Sequence, residues 1–231
     1  PKNLDLFVDL FSGGSNVGVN VNAKRIVCVD KQKEIIRVMD LFKKYEDGYI
    51  IDTLEKVINK YELSNSLLNG YEVYNCTSDK GLGSYNKNKY IQLRTDYNKM
   101  KEDSADKDFL FLTLIIYGFN NQIRFNSSGE FNMPVGKRDF NNSLRKNLKS
   151  FINVLKTKNI EFINSDFREI AIETTDNTLV YCDPPYFLGT ASYNENGGWT
   201  EQDEMDLLNY LSFLDGKGIK FALSNVIEHK G

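Results

Sequence analysis

The chain has 231 residues, of which 41% are hydrophobic and 26% charged, and its net charge is −3. This composition is that of an ordinary globular protein and excludes a membrane-spanning helix, because no apolar run approaches the roughly 20 residues such a helix needs. Three cysteines and a single histidine, His229, argue against a Cys/His zinc site and against Ser-His-Asp or Cys-His catalysis. We therefore predict a cytoplasmic protein with reduced thiols, no metal site and no membrane partner.

The first 45 residues have the pattern that starts a parallel α/β sheet. Residues 6–11 (LFVDLF) form an apolar run that leads into the loop Ser12-Gly13-Gly14, which indicates a buried strand followed by a turn. Residues 25–30 (RIVCVD) predict a second buried strand, and residues 31–45 carry apolar side chains at helical spacing. Strand, loop, short helix, strand and helix in this order are typical of a parallel sheet.

Residues 48–157 interrupt this pattern and are predicted to form an inserted, mainly helical subdomain. Within it, residues 75–89 (NCTSDKGLGSYNKNK) are predicted to be a loop, and residues 121–136 a β-hairpin, because two β-prone runs flank a Ser-Ser-Gly turn. Six basic residues stand against two acidic ones between Arg124 and Lys149, which favours a surface that faces a polyanion. Helices are predicted over residues 49–62, 90–103, 108–119 and 141–158, although the apolar run 108–119 is also compatible with a strand.

The α/β pattern resumes after the insertion. Three more apolar runs predict strands, and the helix between the last two ends at a glycine. We therefore predict one α/β domain that is interrupted by the insertion. The strands are predicted over residues 160–166, 178–183 and 219–225, the helix over residues 200–218, and the whole α/β domain over residues 1–47 and 158–231.

Three of the predicted strands end in an acid, at Asp30, Asp166 and Asp183. Ligands of open parallel sheets bind beyond the carboxyl ends of the strands, so we expect these acids and the glycine loop to share one edge. The loop does not fit the pattern G-x-G-x-x-G, and no Walker lysine follows it. Asp30 suits a ribose diol, because a carboxylate can accept two hydroxyl hydrogen bonds. These residues predict an adenosyl ligand, either a dinucleotide or S-adenosylmethionine.

The segment Asp183-Pro184-Pro185-Tyr186 favours S-adenosylmethionine and methyl transfer. Two prolines fix φ and remove two N–H donors, so the backbone presents carbonyl oxygens. The Asp183 carboxylate and the Pro184 carbonyl then match the two hydrogens of an exocyclic amine, and Tyr186 offers a face for stacking on a nucleobase. Two acceptors favour a pyramidal amine nitrogen whose lone pair can attack a methyl group. We predict these four residues to be catalytic.

Several segments in order give the chain a family resemblance: FVDLFSGGSNVG, VCVD, YGFNNQIRFNSSGEFNMPVG, FINSDF and DPPYF. The chain resembles the Dam-type (D12 class, alpha group) DNA adenine-N6 methyltransferases. The resemblance implies a Rossmann-like S-adenosylmethionine-dependent methyltransferase sheet with an inserted target-recognition subdomain that carries the hairpin. It also implies S-adenosyl-L-methionine as cofactor and methyl transfer to N6 of a flipped-out adenine in double-stranded DNA. A restriction-modification or phage context follows, with a cognate restriction endonuclease that forms no stable complex.

The resemblance also assigns site residues by position. Asp30 would hold the ribose, and Asp166 with Phe167 would contact the adenine of the cofactor. Arg124 would read a guanine edge, which an arginine fork fits. Cofactor binding is implied for Asp9, Phe11, Ser12, Gly13, Gly14, Asp30, Asp166, Phe167 and Asp183. DNA contact is implied for Phe119, Asn120, Gln122, Arg124, Asn126, Pro134, Lys137 and Arg138.

The residues leave several alternatives open. The same chemistry could act on cytosine N4 or on RNA adenine, and a catalytically incomplete DNA-binding fragment is a different class. A nicotinamide-dependent oxidoreductase is disfavoured by the glycine pattern. Gln122 stands where members that methylate GATC often have an apolar residue, so the recognised DNA sequence is also open. Family members carry a lysine-containing segment before the glycine loop, and further strands after residue 225, which is why we expect both ends to be incomplete.

Overall fold

The computed structural model describes residues 3–171, 173–185 and 198–225. Two residues singled out above, Tyr186 and His229, lie outside the described residues. The chain divides into two compact units, each described by itself below. Unit 1 comprises residues 1–40 and 154–231, and unit 2 comprises residues 41–153.

Unit 1 is built on a parallel sheet whose strands, within the described residues, are arranged in the order β3-β2-β1-β4-β5. The predicted α/β class with a parallel sheet is thus confirmed. Chain order reverses between β1 and β4, where β2 lies on one side of β1 and β4 on the other. The strands are β1 (Leu4–Asp9), β2 (Ala23–Asp30), β3 (Ile160–Asn164), β4 (Thr178–Cys182) and β5 (Lys220–Leu223).

The central strand β1 is buried almost throughout, as expected of a parallel strand covered on both faces. Its neighbours are fixed in register, with Asp9 opposite Cys28 of β2 and Tyr181 of β4. At the edge, β5 has exposed residues at Lys220 and Phe221. Burial therefore decreases from the centre of the sheet to this edge.

Helices of unit 1 cover the sheet with regularly spaced apolar side chains. In the helix before β5, Leu207, Leu211 and Leu214 are buried against strand residues such as Val8 and Val180, in the i, i+4, i+7 pattern of a helix face. In the described part of the chain, α1 (Asn16–Asn20) and α8 (Glu201–Gly216) lie wholly in unit 1, and α2 (Lys33–Lys44) and α7 (Asn142–Thr157) are divided between the two units. The bounds of unit 1 fall inside α2 and α7, whereas the predicted domain bounds lay beyond their ends.

Unit 2 is mainly helical. Its helices are α3 (Asp47–Lys60), α4 (Ser66–Asn69), α5 (Gly83–Lys99) and α6 (Ala105–Tyr117), with 3₁₀ turns at Glu72–Tyr74 and Phe119–Asn121. The predicted loop over residues 75–89 was partly wrong, because α5 begins at Gly83. Asn86 and Tyr90 lie on the buried face of this helix, and the polar Asn86 hides the helical period from sequence analysis.

Residues 118–135 of unit 2 fold back on themselves where a hairpin was predicted. Two isolated antiparallel bridges pair Gly118 with Val135 and Phe125 with Phe131. The turn is closed by Asn126, whose side-chain oxygen accepts hydrogen bonds from the N–H groups of Ser128 and Glu130 at 3.0 and 2.8 Å. None of the helices in the described part of the chain combines the length and the apolar character that crossing a membrane requires.

Candidate active site and nucleic-acid surface

The carboxyl ends of β1, β2 and β4 meet at one edge of the sheet, where chain order reverses. The loop after β1 is held there by two backbone bonds, from Leu10 N–H to the carbonyl of Tyr181 at 2.9 Å and from Ser12 N–H to that of Val29 at 2.9 Å. Such a reversal point is where open parallel sheets bind their ligands. The fold therefore places the glycine loop at the edge that sequence analysis selected.

Asp30 at the end of β2 organises this loop. One carboxylate oxygen accepts the N–H of Gly13 at 2.8 Å, and the other accepts the N–H of Gln32 at 2.8 Å. Gly13 has a φ of 45°, a left-handed conformation that favours glycine. A carboxylate offers about four lone-pair positions, so Asp30 can still accept bonds from the hydroxyls of a ribose.

Asp9 at the end of β1 is a buried acid, with 2% of its surface exposed. Burial is the largest cause that raises its pKa, a hydrogen bond from Gly18 N–H opposes it, and the nearby charges of Asp183 and Asp30 add to it, so that the pKa reaches about 6. That bond measures 3.1 Å. The electrostatic coupling shows that Asp9, Asp30 and Asp183 converge at this edge of the sheet.

The two buried cysteines of this edge are unsuited to nucleophilic catalysis. Burial, together with the charge of Asp9, raises the pKa of Cys28 and of Cys182 to about 12. A thiol with so high a pKa is not a thiolate at neutral pH. Cys182 is therefore a buried strand residue of β4.

Ser12 provides a test of whether the loop fits a polar cofactor. Its side chain is 7% exposed, and among the described residues its hydroxyl has no hydrogen-bond partner. A buried polar group without a partner is costly, and a polar ligand would supply one. Together with Asp30, this hydroxyl gives a donor and acceptor set that fits the adenosyl and amino acid groups of S-adenosylmethionine.

The segment Asp183-Pro184-Pro185 follows β4 directly. Pro184 is buried, whereas Asp183 and Pro185 are exposed, and neither proline has an N–H to donate. The end of β4 is also bonded to the chain that follows β5, because Ser224 N–H donates to the carbonyl of Cys182 at 2.8 Å. The segment thus stands at the end of a fixed strand, beside the glycine loop of β1.

An aromatic cluster lines the loop after β1. Phe167 lies 5.3 Å from Phe11 and 5.9 Å from Trp199 between ring centroids, and Phe11 lies 5.6 Å from Trp199. Phe167 is only 4% exposed, so most of its ring packs within the protein. Trp199 also donates its indole N–H to Glu204 of α8 at 2.6 Å, so this residue connects the aromatic cluster to the helix.

Sequence analysis predicted that Asp166 ends a strand. In the structure β3 ends at Asn164, so Asp166 lies two residues beyond it. Its carboxylate accepts two bonds of 3.1 Å from Arg168. Sequence analysis did not select Arg168, because its partners Asp203 and Asp206 lie 35 and 38 residues away.

In unit 2, the predicted DNA contacts gather around residues 118–138. Phe119 is 47% exposed, and its N–H is bonded to the carbonyl of Pro134 at 2.9 Å. Asn120 has a φ of 52°, so it lies in the left-handed region where asparagine is tolerated. Lys137 and Arg138 are exposed, and the structure therefore leaves these two cations accessible.

Arg124 is half-buried, and its guanidinium is held in place. It donates from Nε to the side-chain oxygen of Asn132 at 2.8 Å and from Nη2 to the Asn132 carbonyl at 3.1 Å. Arg94 donates to the same carbonyl at 3.3 Å and to that of Met133 at 3.0 Å. Sequence analysis missed Asn132 and Arg94, although both lie near residues that it selected. Gln122 is half-buried beside this arrangement.

The segment that carries Lys137 and Arg138 is anchored by a buried acid. Asp139 is 1% exposed and accepts hydrogen bonds from Ser66 N–H at 2.6 Å, Ser66 Oγ at 2.8 Å and Ser64 Oγ at 3.3 Å. Three donors compensate for the cost of burying a carboxylate. These hydrogen bonds hold the backbone in place directly after the two exposed cations, Lys137 and Arg138.

Residues 1–230 match the sequence model of the D12 class N6 adenine-specific DNA methyltransferases. The chain belongs to this family. It is 40% identical over its whole length to the type II methyltransferase M.FokI of Planomicrobium okeanokoites and 34% identical to the modification methylase StsI of Streptococcus sanguinis. Against the DNA adenine methylase of Escherichia coli K12 it is 26% identical over 96% of the chain. The chain spans 33% of the length of each of the first two relatives and 72% of the third.

Membership of the D12 class agrees with the resemblance stated above. The fold brings together Asp9, Ser12, Gly13, Asp30 and Asp183 in unit 1. Phe11 and Phe167 contact each other, and Gly14 is exposed in the same loop. The individual roles of these residues stay predictions, as do those of the DNA-facing residues of unit 2.

Gly18 of α1, the helix that follows the glycine loop, is a further residue that sequence analysis left without a role. A Cβ atom at this position would lie 2.6 Å from the Cys28 sulfur and 3.4 Å from a carboxylate oxygen of Asp9. Only glycine therefore lets α1 approach the sheet closely enough for its N–H to reach Asp9. The sequence feature that could have indicated this role is a glycine one helical turn after the glycine loop, close in the chain to a predicted buried strand.

Proposed function

We propose that this chain is the part of a DNA methyltransferase that binds S-adenosylmethionine, recognises duplex DNA and transfers the methyl group to N6 of adenine. The observation that carries the proposal is the acceptor pair of Asp183 and Pro184, which follows β4 beside the glycine loop and Asp30. The names of its relatives favour a place in restriction-modification, and we propose a cognate restriction endonuclease as functional partner.

Unit 1 would bind the cofactor with residues that are already fixed. Asp30 accepts the ribose hydroxyls, since one N–H per carboxylate oxygen leaves acceptor positions open. The buried hydroxyl of Ser12 gains a partner, and Asp166 and Phe167 contact the adenine of the cofactor. When bound, the cofactor supplies a methyl group on a positively charged sulfur.

Asp183 and Pro184 would act on the target adenine. Their two oxygens accept the two N6 hydrogens, and Tyr186 stacks on the base. With both hydrogens accepted, the lone pair of the amine nitrogen would be directed at the methyl group that the cofactor supplies, and one N6 proton would leave toward the Asp183 carboxylate. Because the amine lies within a duplex, the base must first be flipped out at a cost of a few kcal/mol.

Unit 2 would select the site on DNA. Arg124 would engage a guanine edge, where a bidentate contact contributes roughly 1–3 kcal/mol of discrimination. Phe119, Asn120, Gln122, Asn126 and Pro134 contact bases and sugars, and Lys137 with Arg138 contact phosphates. Phosphate contacts by lysine and arginine make the affinity depend on salt.

The decisive experiment incubates the full-length protein with labelled S-adenosylmethionine and plasmid DNA, followed by digestion to nucleosides. We expect N6-methyladenine. N4-methylcytosine would move the proposal to the cytosine enzyme, and DNA binding without any transfer would replace it by a binding fragment.

An Asp183→Ala variant tests the residue that carries the proposal. We expect it to lose turnover by about 100-fold or more at saturating S-adenosylmethionine, the scale of losing a preorganised polar group at a reacting centre. Asp5→Ala is the matched control, because Asp5 pairs with Lys24 at 2.7 Å on the surface of unit 1. Equal turnover in both variants would refute the role of Asp183.

A further inference from the structure

Arg168 joins the loop after β3 to the first turns of α8. Its Nη1 lies 3.1 Å from both carboxylate oxygens of Asp166. On the other side, Nε donates to Asp206 at 2.6 Å and Nη2 donates to Asp203. A single planar guanidinium thus engages three carboxylates at once, two of which belong to α8.

The same guanidinium covers the ring of Phe167, with its central carbon 4.5 Å from the ring centroid. Phe167 in turn packs on Phe11 of the loop after β1. Arg168 therefore contacts both residues, Asp166 and Phe167, that are proposed to hold the adenine of the cofactor. It fixes them from the side that faces α8.

The connection continues through the start of α8. Asp203 forms a capping box with Thr200: its carboxylate accepts the Thr200 N–H at 2.8 Å, and its own N–H donates to Thr200 Oγ1 at 3.2 Å. Trp199, the preceding residue, packs on both Phe11 and Phe167. Arg168 is thus linked to the aromatic cluster directly and through the helix start.

The charges of the cluster make Arg168 hard to replace. Hydrogen bonds from Thr200 and then from Arg168 lower the pKa of Asp203 to about 2, and Arg168 lowers that of Asp206, so these carboxylates are ionised at neutral pH. Without the guanidinium, the carboxylates would repel one another across the gap between the loop and α8. A lysine has no planar fork with which to engage all three.

We propose that Arg168 is a positioning residue for S-adenosylmethionine, which holds Asp166 and Phe167 in the arrangement that binds the adenine of the cofactor by tying them to α8. The inference rests on the proposed function and extends it to a residue that contacts the binding residues rather than the reacting atoms.

The test is a calorimetric titration of the full-length protein with S-adenosylhomocysteine, which needs no turnover. We expect Arg168→Met to raise the Kd about tenfold and Arg168→Lys to give an intermediate value. Arg25→Met is the matched control, since Arg25 also pairs with a carboxylate on unit 1, that of Glu161, but near the opposite ends of the strands. Its Kd is expected to stay within twofold of the unaltered protein.

Steady-state kinetics separate positioning from a merely structural role. We expect the KM for S-adenosylmethionine to rise in Arg168→Met while kcat at saturating cofactor stays within twofold. An unchanged Kd and KM, or a loss confined to kcat, would overturn the inference. If Arg168→Met does not fold, Asp206→Asn decides, with an expected Kd increase of about threefold and no increase as the contrary result. Failure of the unaltered protein to bind either ligand would instead remove the proposed function, and this inference with it.

Discussion

Asp9 illustrates how the fold changes the chemistry of a single carboxyl group. Burial, and then the charges of Asp183 and Asp30, raise its pKa to about 6 from 3.8. The folded protein therefore favours the protonated acid. This contribution to the free energy of unfolding is fully present below about pH 4 and is lost as the pH rises through 6. A difference of about 2 pKa units corresponds to roughly 3 kcal/mol.

An Asp9→Asn variant is expected to lose this pH dependence. Asparagine cannot ionise, yet its side-chain oxygen can still accept the Gly18 N–H. The variant and the unaltered chain should have similar free energies of unfolding at pH 4, and the variant should be more stable by roughly 2–3 kcal/mol at pH 7.5. Urea denaturation at the two pH values measures both. If the free energy of unfolding changed by the same amount between pH 4 and pH 7.5 in both proteins, the assignment of a raised pKa to Asp9 would be contradicted.

At the scale of elements, the short helix α1 is fixed by close packing on the sheet. Gly18 makes this packing possible, because its missing side chain accommodates the Cys28 sulfur. The helix has only five residues and cannot be stable by itself. Its position therefore depends on this contact and on the bond from Gly18 N–H to Asp9, which together fix the loop that precedes it.

Gly18→Ala is expected to lower the free energy of unfolding by about 2 kcal/mol, the usual cost of overpacking a closely packed site. Gly14→Ala is the matched control, since a Cβ there would be 3.8 Å from its nearest neighbour, the Asn16 amide nitrogen. Adding Cys28→Ala to the Gly18→Ala variant should recover part of the loss, because it removes the atom that clashes. Equal denaturation midpoints for the two glycine variants would show that the contact is unimportant.

At the scale of the whole molecule, the distribution of charge matters more than its sum. The net charge of −3 gives no reason to expect DNA binding, but the basic residues concentrate in unit 2, where Lys137 and Arg138 are exposed next to the anchored Asp139. Phosphate contacts release counterions, and each contributes about 0.9 to the slope of log affinity against log salt.

Replacing Lys137 and Arg138 together by alanine is expected to reduce that slope by about 2. The slope is measured by fluorescence anisotropy with a labelled DNA duplex at salt concentrations from about 50 to about 200 mM. Lys24→Ala serves as control, because Lys24 lies on unit 1 and pairs with Asp5. A slope that falls equally in the control, or in neither variant, would remove these two residues from the DNA contact.

Local patterns in the sequence determined the parallel α/β fold and the acids at or just beyond the ends of its strands, because hydrophobic period and side-chain type can be identified within a few residues. The segment Asp183-Pro184-Pro185 follows its strand as predicted, and Asp30 meets the glycine loop. Most helices also lie within a few residues of their predicted bounds.

Only the tertiary structure decided the features that depend on residues far apart in the chain. The start of α5 depends on Asn86, which is bonded to Ser64 across 22 residues, and Arg168 depends on carboxylates 35 and 38 residues away. The raised pKa of Asp9 depends on its burial in the folded sheet, and this burial cannot be identified from the residues next to Asp9 in the sequence. Desolvation and long-range hydrogen bonds are properties of the folded arrangement, and this is why these features became visible only there.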